Sequence, residues 1–380
     1  MLGGLESTAG TRVDAKSALG VATVFACVSL LARTISTLPL NVYRRREDQG
    51  REIAYEHPLF DLLHNAPNDD MTSTDFRSAM QTHLSLQNNA YATILKTASG
   101  RVAGLDPHNP KDVEPYRDRT TGELKYRIGG TSFASSEVLH LKGMTFDGLC
   151  GADMLPIARN CIGLAIALER NASTFFKNGS FPTGVIKHPM TVSAEAQKRI
   201  IAQMQASMSG TNAHKLQFLE EGMEYVAQQM PNRDSQFDES RNRQDYALAR
   251  YFGVPPHKVG IVSAQPRANV EQENISFVTD TIRPIVVGWE QQMNLRLLTR
   301  EERSRYFIEF NLSGLLRGDT KTRYDVYALA KQWGIMNTNE IRRAENMNPI
   351  GPEGDIYLTP LNMADAAQVA DQQNNEPPAP

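Results

Sequence analysis

Apolar residues recur every three or four positions along much of the chain, which is the spacing of one face of a helix. Ala247, Leu248, Tyr251 and Phe252, for example, share one such face. The same spacing predicts helices over about 16–37, within 57–68, from Thr72 or Thr74 to about 87, and over about 152–177, 194–208, 234–252 and 271–298. Two more helices are predicted towards the C-terminus, in 322–334 and 338–347.

Shorter runs rich in β-branched and aromatic residues, bounded by turn residues, predict strands. They are LPLNVYRR at 38–45, a series between 89 and 142, TGVIKH at 183–188, KLQFLEE at 215–221, MEYVAQQ at 223–229 and RYFIEFNL at 305–312. The series between 89 and 142 predicts a small antiparallel sheet, and the last strand is expected to return to the sheet of the first. This order of elements is typical of an α+β fold.

The helix predicted over 234–252 carries a strong stop signal. Gly253 stands where a helix usually turns into the left-handed conformation, which glycine adopts without steric cost. Val254 can fold back as the apolar contact of a Schellman motif, and Pro255-Pro256 cannot continue a helix. We therefore predict a firm helix end at Gly253, with Pro255 and Pro256 completing a hinge.

A second helix is predicted to begin after a polar loop of about a dozen residues. Asn269 is a suitable N-cap, Glu271 lies in the first turn, where the helix dipole favours negative charge, and Gln272 completes a capping box. Loops of this length in compact domains are often functional. Pro284 predicts a kink in this second helix, because it lacks a backbone donor and clashes with the preceding turn.

Composition narrows the possible functions. The chain has 380 residues with a net charge of -3, which disfavours a strongly phosphate-neutralising surface. Cys27, Cys150 and Cys161 form no CxxC spacing, so the sequence predicts neither a disulfide framework nor a zinc site. The apolar run at 18–40 nearly reaches the length of a membrane span, but its polar second half favours a buried helix. No membrane partner is expected.

Motifs that would indicate catalysis are missing. The sequence contains neither GxxxxGK[ST] nor GxGxxG, GxSxG nor HExxH, so no catalytic residue, cofactor or metal site is predicted. His57, His64 and His108 are scattered and are interpreted as surface or structural residues rather than metal ligands. The basic run at 44–47 can contact phosphates, although a solvated strand end is the more common role for such a run.

The order of the segments resembles that of the portal proteins of tailed bacteriophages, in the shorter class found in long-tailed phages. The matching segments span residues 16–362 and are TLPLNVYRR, HPLFDLLHNAPN, QNNAYATILK, GLDPHNPKDVEPY, GADMLPIARN, FFKNGSFPTGVI, QMPNRDSQFDESRNRQDYALARYFGVPPHKVGI and NVEQENISFVTDTIRPIV. Each segment is a weak signal alone, but together and in this order they are specific.

The resemblance implies the portal fold, with a mixed α/β wing, a two-helix stem, a small α/β clip, a kinked long helix and a short helical crown. The corresponding regions are a wing at 16–151 with a returning strand at 299–318, stem helices at 152–179 and 232–256, a clip at 180–231, a tunnel loop at 257–270, a kinked helix at 271–298 and crown helices at 319–363. Residues 1–15 and 364–380 lack periodicity and are predicted to be mobile arms.

The resemblance also implies a function. Subunits would form a ring, usually of twelve, at one capsid vertex, with double-stranded DNA passing through the channel without sequence specificity. Expected partners are the terminase large subunit, the major capsid protein and a head-tail connector or adaptor. The expected location is the virion, after assembly in the host cytoplasm. The chain itself is not expected to be an enzyme.

Within the tunnel loop, the residues expected to face DNA are polar: His257, Lys258, Ser263, Gln265, Arg267 and Asn269. Only Lys258 and Arg267 are firmly cationic, and Arg267 is equally well placed to pair with Glu271 four residues later. Two other functions remain open from sequence alone. One is a metal-dependent nuclease or hydrolase on a similar mixed fold, and the other is a monomeric capsid adaptor or scaffold.

Overall fold

A computed structural model shows a mixed α/β chain. The structure describes residues 5–47, 50–177, 184–188, 190–191, 193–208, 223–227, 233–261, 270–316, 320–345 and 347–358. The chain divides into two compact units, Met1–Asn311 and Leu312–Pro380.

Antiparallel strands make up small sheets in the first unit. In chain order the strands are β1 Leu5–Glu6, β2 Arg12–Val13, β3 Leu40–Arg45, β4 Arg51–Ile53, β5 Asn89–Lys96, β6 Val102–His108, β7 Val113–Arg117, β8 Leu124–Ile128, β9 Thr131–Ala134, β10 Val138–Lys142, β11 Gly184–Lys187, β12 Glu224–Ala227 and β13 Tyr306–Phe310. They pair as β13-β3-β4, β10-β5-β6, β7-β8-β9, β1-β2 and β11-β12. Where the sequence predicts one sheet between 89 and 142, the structure has two.

The helices match most of the predicted ones. In chain order they are α1 Ala15–Leu19, α2 Ala22–Ser36, α3 Pro58–His64, α4 Ser73–Gln87, α5 Met154–Lys177, α6 Ala194–Met208, α7 Arg233–Tyr251, α8 Val270–Ser276, α9 Arg283–Leu297, α10 Glu302–Arg305, α11 Ser313–Leu316, α12 Thr320–Gln332 and α13 Thr338–Ala344. A π-helical turn, Phe277–Ile282, joins α8 to α9.

The predicted helix over 16–37 is wrong in one respect, because it is two helices. Helix α1 ends at Gly20, whose N–H bonds to the carbonyl oxygens of Lys16 and Ser17, and Val21 is extended before α2 begins. Asp14 caps α1 by accepting a 2.8 Å hydrogen bond from the Ser17 N–H. Apolar periodicity continues across this break, so it carried no signal for the interruption.

The N-terminal residues differ more from expectation. The prediction of a mobile arm at 1–15 is wrong for residues 5–15, which form the β1-β2 hairpin and the start of α1. Val13 is 3% exposed and packs into a core cluster with residues of α1, α2, α5 and α7. Ser7 and Thr11, also buried, bond to each other across the turn. Two-residue strands are too short to show alternation, which explains the missing signal.

Helix α2 is a core element of the first unit. Val24, Cys27, Val28, Leu31 and Ile35 are at most 3% exposed along one side of it, as the interpretation of a buried helix predicts. Within the described residues, every helix falls short of the length or hydropathy needed to span a bilayer. Burial raises the pKa of the Cys27 thiol to about 12, so the thiol stays protonated at neutral pH.

Strand β13 returns to the first sheet, as predicted, pairing with β3 so that Ile308 lies opposite Val42. Its other edge is covered by α9. The Asn294 side chain accepts from the Ile308 N–H at 2.8 Å and donates to the Ile308 carbonyl oxygen at 3.0 Å. Glu290 accepts from the Phe310 N–H at 2.8 Å. These side chains replace a neighbouring strand and fix α9 on the sheet.

The insert between α5 and α7 agrees with prediction where it is described. TGVIKH and MEYVAQQ contain β11 and β12, paired so that Val185 lies opposite Val226, and α6 has the predicted bounds. The predicted strand KLQFLEE lies outside the described residues.

The second unit contains α12 and α13 close to the positions predicted from the sequence. Asn337 caps α13 through a capping box with Glu340. The buried side chain of Asn339 ties α13 to the following segment, since it accepts from the Ile350 N–H at 2.8 Å and donates to Asp355 at 2.9 Å. The predicted C-terminal arm, 364–380, lies outside the described residues.

Candidate functional site

Helix α7 ends at Gly253 in a Schellman motif. Gly253 has φ 63°, in the left-handed region, and its N–H donates to the Arg250 carbonyl oxygen at 3.1 Å. The Val254 N–H donates to the Ala249 carbonyl oxygen at 3.0 Å, and both Val254 and Ala249 are buried. This bond pattern satisfies the last carbonyl groups of the helix. The predicted helix end is confirmed.

The chain does not enter an open loop directly after this end. Pro256–Val259 form a 3₁₀ turn, Gly260 has φ 79°, and the Ile261 N–H donates to the Pro256 carbonyl oxygen at 3.0 Å. The first four residues of the predicted loop at 257–270 are therefore folded into a regular turn. Pro256 at the start of the turn has its φ preset for such a conformation.

The helix that follows is continuous but irregular. In the π turn the Arg283 N–H donates to the Val278 carbonyl oxygen, five residues earlier. Pro284 comes directly after this turn, where an α-helix would set its ring against the carbonyl group of Asp280. The wider turn relieves that clash, so the irregularity predicted at Pro284 takes the form of a π turn on its N-terminal side.

His257 and Lys258 are the residues predicted to face DNA that the structure describes, and both contact the helix that follows. Nδ1 of His257 lies 3.1 Å from Oε2 of Glu273. The Lys258 ammonium donates to Oδ1 of Asn274 and lies 5.6 Å from the centroid of the Phe277 ring. The others, Ser263, Gln265, Arg267 and Asn269, lie outside the described residues, so their placement beside DNA stays a prediction.

A further contact joins the two sides of this region. The Thr281 hydroxyl, in the π turn, donates to the Gly253 carbonyl oxygen at 2.6 Å. Four contacts therefore run between the segment 253–258 and the segment 273–281, which lie side by side in opposite directions. Glu273, Asn274 and Thr281 were not selected from the sequence, because polar residues on a helix carry no signal of which neighbour they meet.

Three histidines elsewhere in the described residues make structural contacts. Nδ1 of His57 accepts from the Leu59 N–H and caps α3, and Nε2 of His108 lies 3.0 Å from the Thr93 hydroxyl. His140 is 1% exposed, hydrogen-bonded to Tyr126 at 3.1 Å and to Asn89 at 3.0 Å. Burial lowers the pKa of His140 to about 3, so it is held neutral.

The basic run at 44–47 also has local partners. Arg44 pairs with Glu52 across the β3-β4 strands, and the guanidinium of Arg45 lies 4.6 Å from the centroid of the Phe307 ring. These contacts fit the solvated strand end that the sequence favoured. Among the described residues, no three His, Cys, Asp or Glu side chains cluster as a metal site would require.

Comparisons with known proteins decide the family. The family described as "Phage portal protein" matches residues 22–346 of the chain. The portal protein of Enterobacteria phage HK97 is 31% identical over 374 residues, which cover 97% of this chain and 87% of that protein. The chain belongs to the phage portal protein family. The resemblance drawn from the sequence segments is thus confirmed.

Two solved structures share the fold of this portal family member. The crystal structure of an HK97-family phage portal protein from Corynebacterium diphtheriae aligns with a TM-score of 0.62 at 18% identity, covering 80% of this chain and 98% of the other. The neck of a native gene transfer agent particle, computed with C12 symmetry, gives a TM-score of 0.57 at 18% identity, covering 88% of this chain and 92% of that one. The portal fold expected from the sequence is confirmed in outline.

Proposed function

We propose that this portal family member forms a twelve-subunit ring at one vertex of a phage capsid and provides the channel through which double-stranded DNA enters and leaves. Membership of the family supports the role, and the C12 symmetry of the related neck structure supports the ring. In the subunit, residues 16–151 with 299–318 would form the wing, α5 and α7 the stem, and 180–231 the clip. Residues 319–363 would form the crown.

The observation that best supports a role at the DNA is the pair of turns after α7, the Schellman motif at Gly253 and the 3₁₀ turn that ends at Gly260. The Schellman motif at Gly253 and the left-handed Gly260 fix the chain before residue 262, and α8 fixes it from Val270 onwards. We propose that the connection between them, residues 262–269, meets the DNA. Repeated twelve times around an axis, such connections would line a narrow ring. A rigid scaffold that carries a short polar segment is suited to touching a sliding polymer without binding it tightly.

Charge supports a sliding rather than a gripping channel. Each subunit carries a net charge of -3, so a ring of twelve would carry on the order of -36, which disfavours tight binding of phosphates. Mechanical work would come from a separate ATPase, the terminase large subunit, docking on the clip. The wing would face the major capsid protein, and a head-tail adaptor would join after packaging. The protein would reach the virion after assembly in the host cytoplasm.

Ring contacts would use helix faces that a lone subunit leaves uncovered. Ile157 and Leu164 on α5 are each 44% exposed, and Leu295 on α9 is 46% exposed. Exposed apolar residues on several long helices are typical of surfaces buried in an assembly.

Electron microscopy of the purified full-length protein tests the proposal. We expect rings with a central channel, and the same rings at one vertex of particles. A protein that stays monomeric at micromolar concentration and leaves no ring in particles would contradict the proposal. Metal-dependent cleavage of DNA by the purified protein would point instead to the nuclease alternative.

A further inference from the structure

We infer that His257 and Lys258, together with Glu273, Asn274 and Phe277, form a clasp that holds the base of the 262–269 connection closed. On this inference His257 and Lys258 position the connection and do not contact DNA. The inference goes beyond the proposed function and rests on it only for the expected effect on DNA. We call these five residues the loop clasp.

Lys258 provides the main argument for the loop clasp. A lysine side chain on a surface loop usually keeps its ammonium group in water, because ordering it costs rotamer entropy. Here the ammonium group donates to the Asn274 side chain and lies over Phe277, a ring that is itself only 6% exposed. A cation held by a hydrogen bond and a ring face stabilises the protein itself and is not available to phosphates.

His257 contributes a second contact one residue earlier. Its side chain is 23% exposed and its Nδ1 lies 3.1 Å from the Glu273 carboxylate. Its Nε2 is buried and has no partner among the described atoms. The imidazole is therefore inserted against α8 and is mostly shielded from solvent.

The spacing of the contacts explains what the loop clasp would do. Residues 257 and 258 meet 273 and 274, while Gly253 and Thr281 meet further from the connection. With the loop clasp closed, the chain is held from residue 253 to residue 258 on one side and from residue 273 to residue 281 on the other. With it open, the chain would be free back to the contact between Gly253 and Thr281, and its reach would increase. The loop clasp thus sets how far each subunit can project.

The loop clasp also changes the charge expected at the DNA. If Lys258 is held by Asn274 and Phe277, then Arg267 is the one lysine or arginine in the sequence between 259 and 270 that is left to meet phosphates. Fewer cations per subunit mean weaker holding of DNA in a twelve-fold ring.

Hydrogen exchange of the full-length protein, measured by mass spectrometry, tests the loop clasp directly. In Lys258→Met we expect exchange in peptides covering 256–261 and 270–276 to rise at least about tenfold, because the half-buried Asn274 amide loses a charged partner. Arg283→Met, which removes an exposed cation from the following helix outside the clasp, is the matched control. Equal exchange in Lys258→Met and wild type, or an equal rise in the control, would overturn the inference.

A compensating variant separates the loop clasp from a general loss of stability. Lys258→Met with Asn274→Leu replaces both polar partners by apolar side chains beside Phe277, a change that is often nearly neutral where the single change is not. We expect exchange to return towards the wild-type rate. Exchange as fast as in the single variant would show that Lys258 does not act through Asn274. Glu273→Gln should raise hydrogen exchange in the same peptides more than the control Asp280→Asn does. Equal exchange in these two variants would show that His257 is not part of the loop clasp.

Particles carrying Lys258→Met separate the loop clasp from the proposed function. With rings incorporated normally, we expect the length of nuclease-protected DNA to fall. Faster exchange together with full-length protected DNA would leave the loop clasp standing and contradict the proposed role of the connection at the DNA. Unchanged exchange would overturn the loop clasp whatever happens to packaging.

Discussion

The hydroxyl group of Thr281 donates a 2.6 Å hydrogen bond to the carbonyl oxygen of Gly253, which joins the end of one long helix to the π turn of another. The left-handed Gly253 ends α7, and its carbonyl oxygen meets the π turn between α8 and α9. One glycine conformation thus sets both the end of α7 and its attachment to the next helix.

Replacing Gly253 by valine should destabilise the protein or block ring assembly. An added Cβ would lie 3.9 Å from Cγ2 of Thr281, which is ordinary contact, so the cost comes from the backbone and not from a clash. A β-branched residue at φ 63° is strained by roughly 1–2 kcal/mol. Thermal unfolding and ring yield measure the effect. Gly253→Asn is the control, since asparagine tolerates the left-handed region. Normal assembly and packaging by the valine variant would show that the helix end is misinterpreted.

Thr281→Val keeps the shape of the side chain but removes the hydrogen bond to Gly253. We expect a loss of about 0.5–1.5 kcal/mol in the free energy of unfolding, and faster hydrogen exchange in 253–258. Thr279→Val, on the exposed side of the same π turn, should change neither quantity by a comparable amount. Equal stability of the two variants would remove Thr281 from the link between the helices.

Shortening 261–267 to a Gly-Ser link should leave rings and capsids intact and impair packaging or retention of DNA. The reason is that the proposed role of this segment is transient contact with passing DNA, whereas the described helix contacts lie outside it. Ring incorporation and the length of nuclease-protected DNA are the measurements. Full-length protected DNA would exclude the segment from the mechanism, and loss of the ring would identify it as an assembly element instead.

Arg267→Ala is a single substitution to be compared with the variant in which 261–267 is shortened. We expect a much smaller effect, because a sliding contact shared among twelve subunits does not depend on one side chain in each. An Arg267→Ala defect as large as that of the shortened connection would instead indicate one dominant phosphate contact.

The free energy of unfolding should decrease as the pH is lowered, because His140 is held neutral in the folded protein. Its pKa is about 3 in the folded protein, below the ordinary value of 6.5, so between these values the unfolded chain binds a proton that the folded chain does not. The contribution of His140 to the free energy of unfolding is fully present above about pH 6.5. It is lost as pH falls towards 3, at up to about 1.4 kcal/mol per pH unit. Urea unfolding from pH 7 to pH 4 should give a steeper decline for wild type than for His140→Gln. The exposed His64→Gln should follow wild type, and parallel curves for all three would contradict the assignment.

Several features followed from local chemistry and were predictable from the sequence. The end of α7 was one, because Gly253, Val254 and the following prolines satisfy a helix terminus through their own backbone preferences. The strand β13 and the two helices of the second unit were others, since their periodicity and bounding residues agree. Segment order alone also indicated the family, because each segment had its own match and their sequence along the chain was specific.

The tertiary structure decided what these elements meet. No local pattern distinguishes Lys258, which bonds to a residue sixteen positions later, from a lysine that faces solvent. Nor does any local pattern mark a two-residue strand such as β2 as part of the core. The break at Gly20 and the folded turn at Pro256–Val259 were hidden for the same reason. Periodicity and turn chemistry act over a few residues, whereas these features depend on partners that only the folded chain brings together.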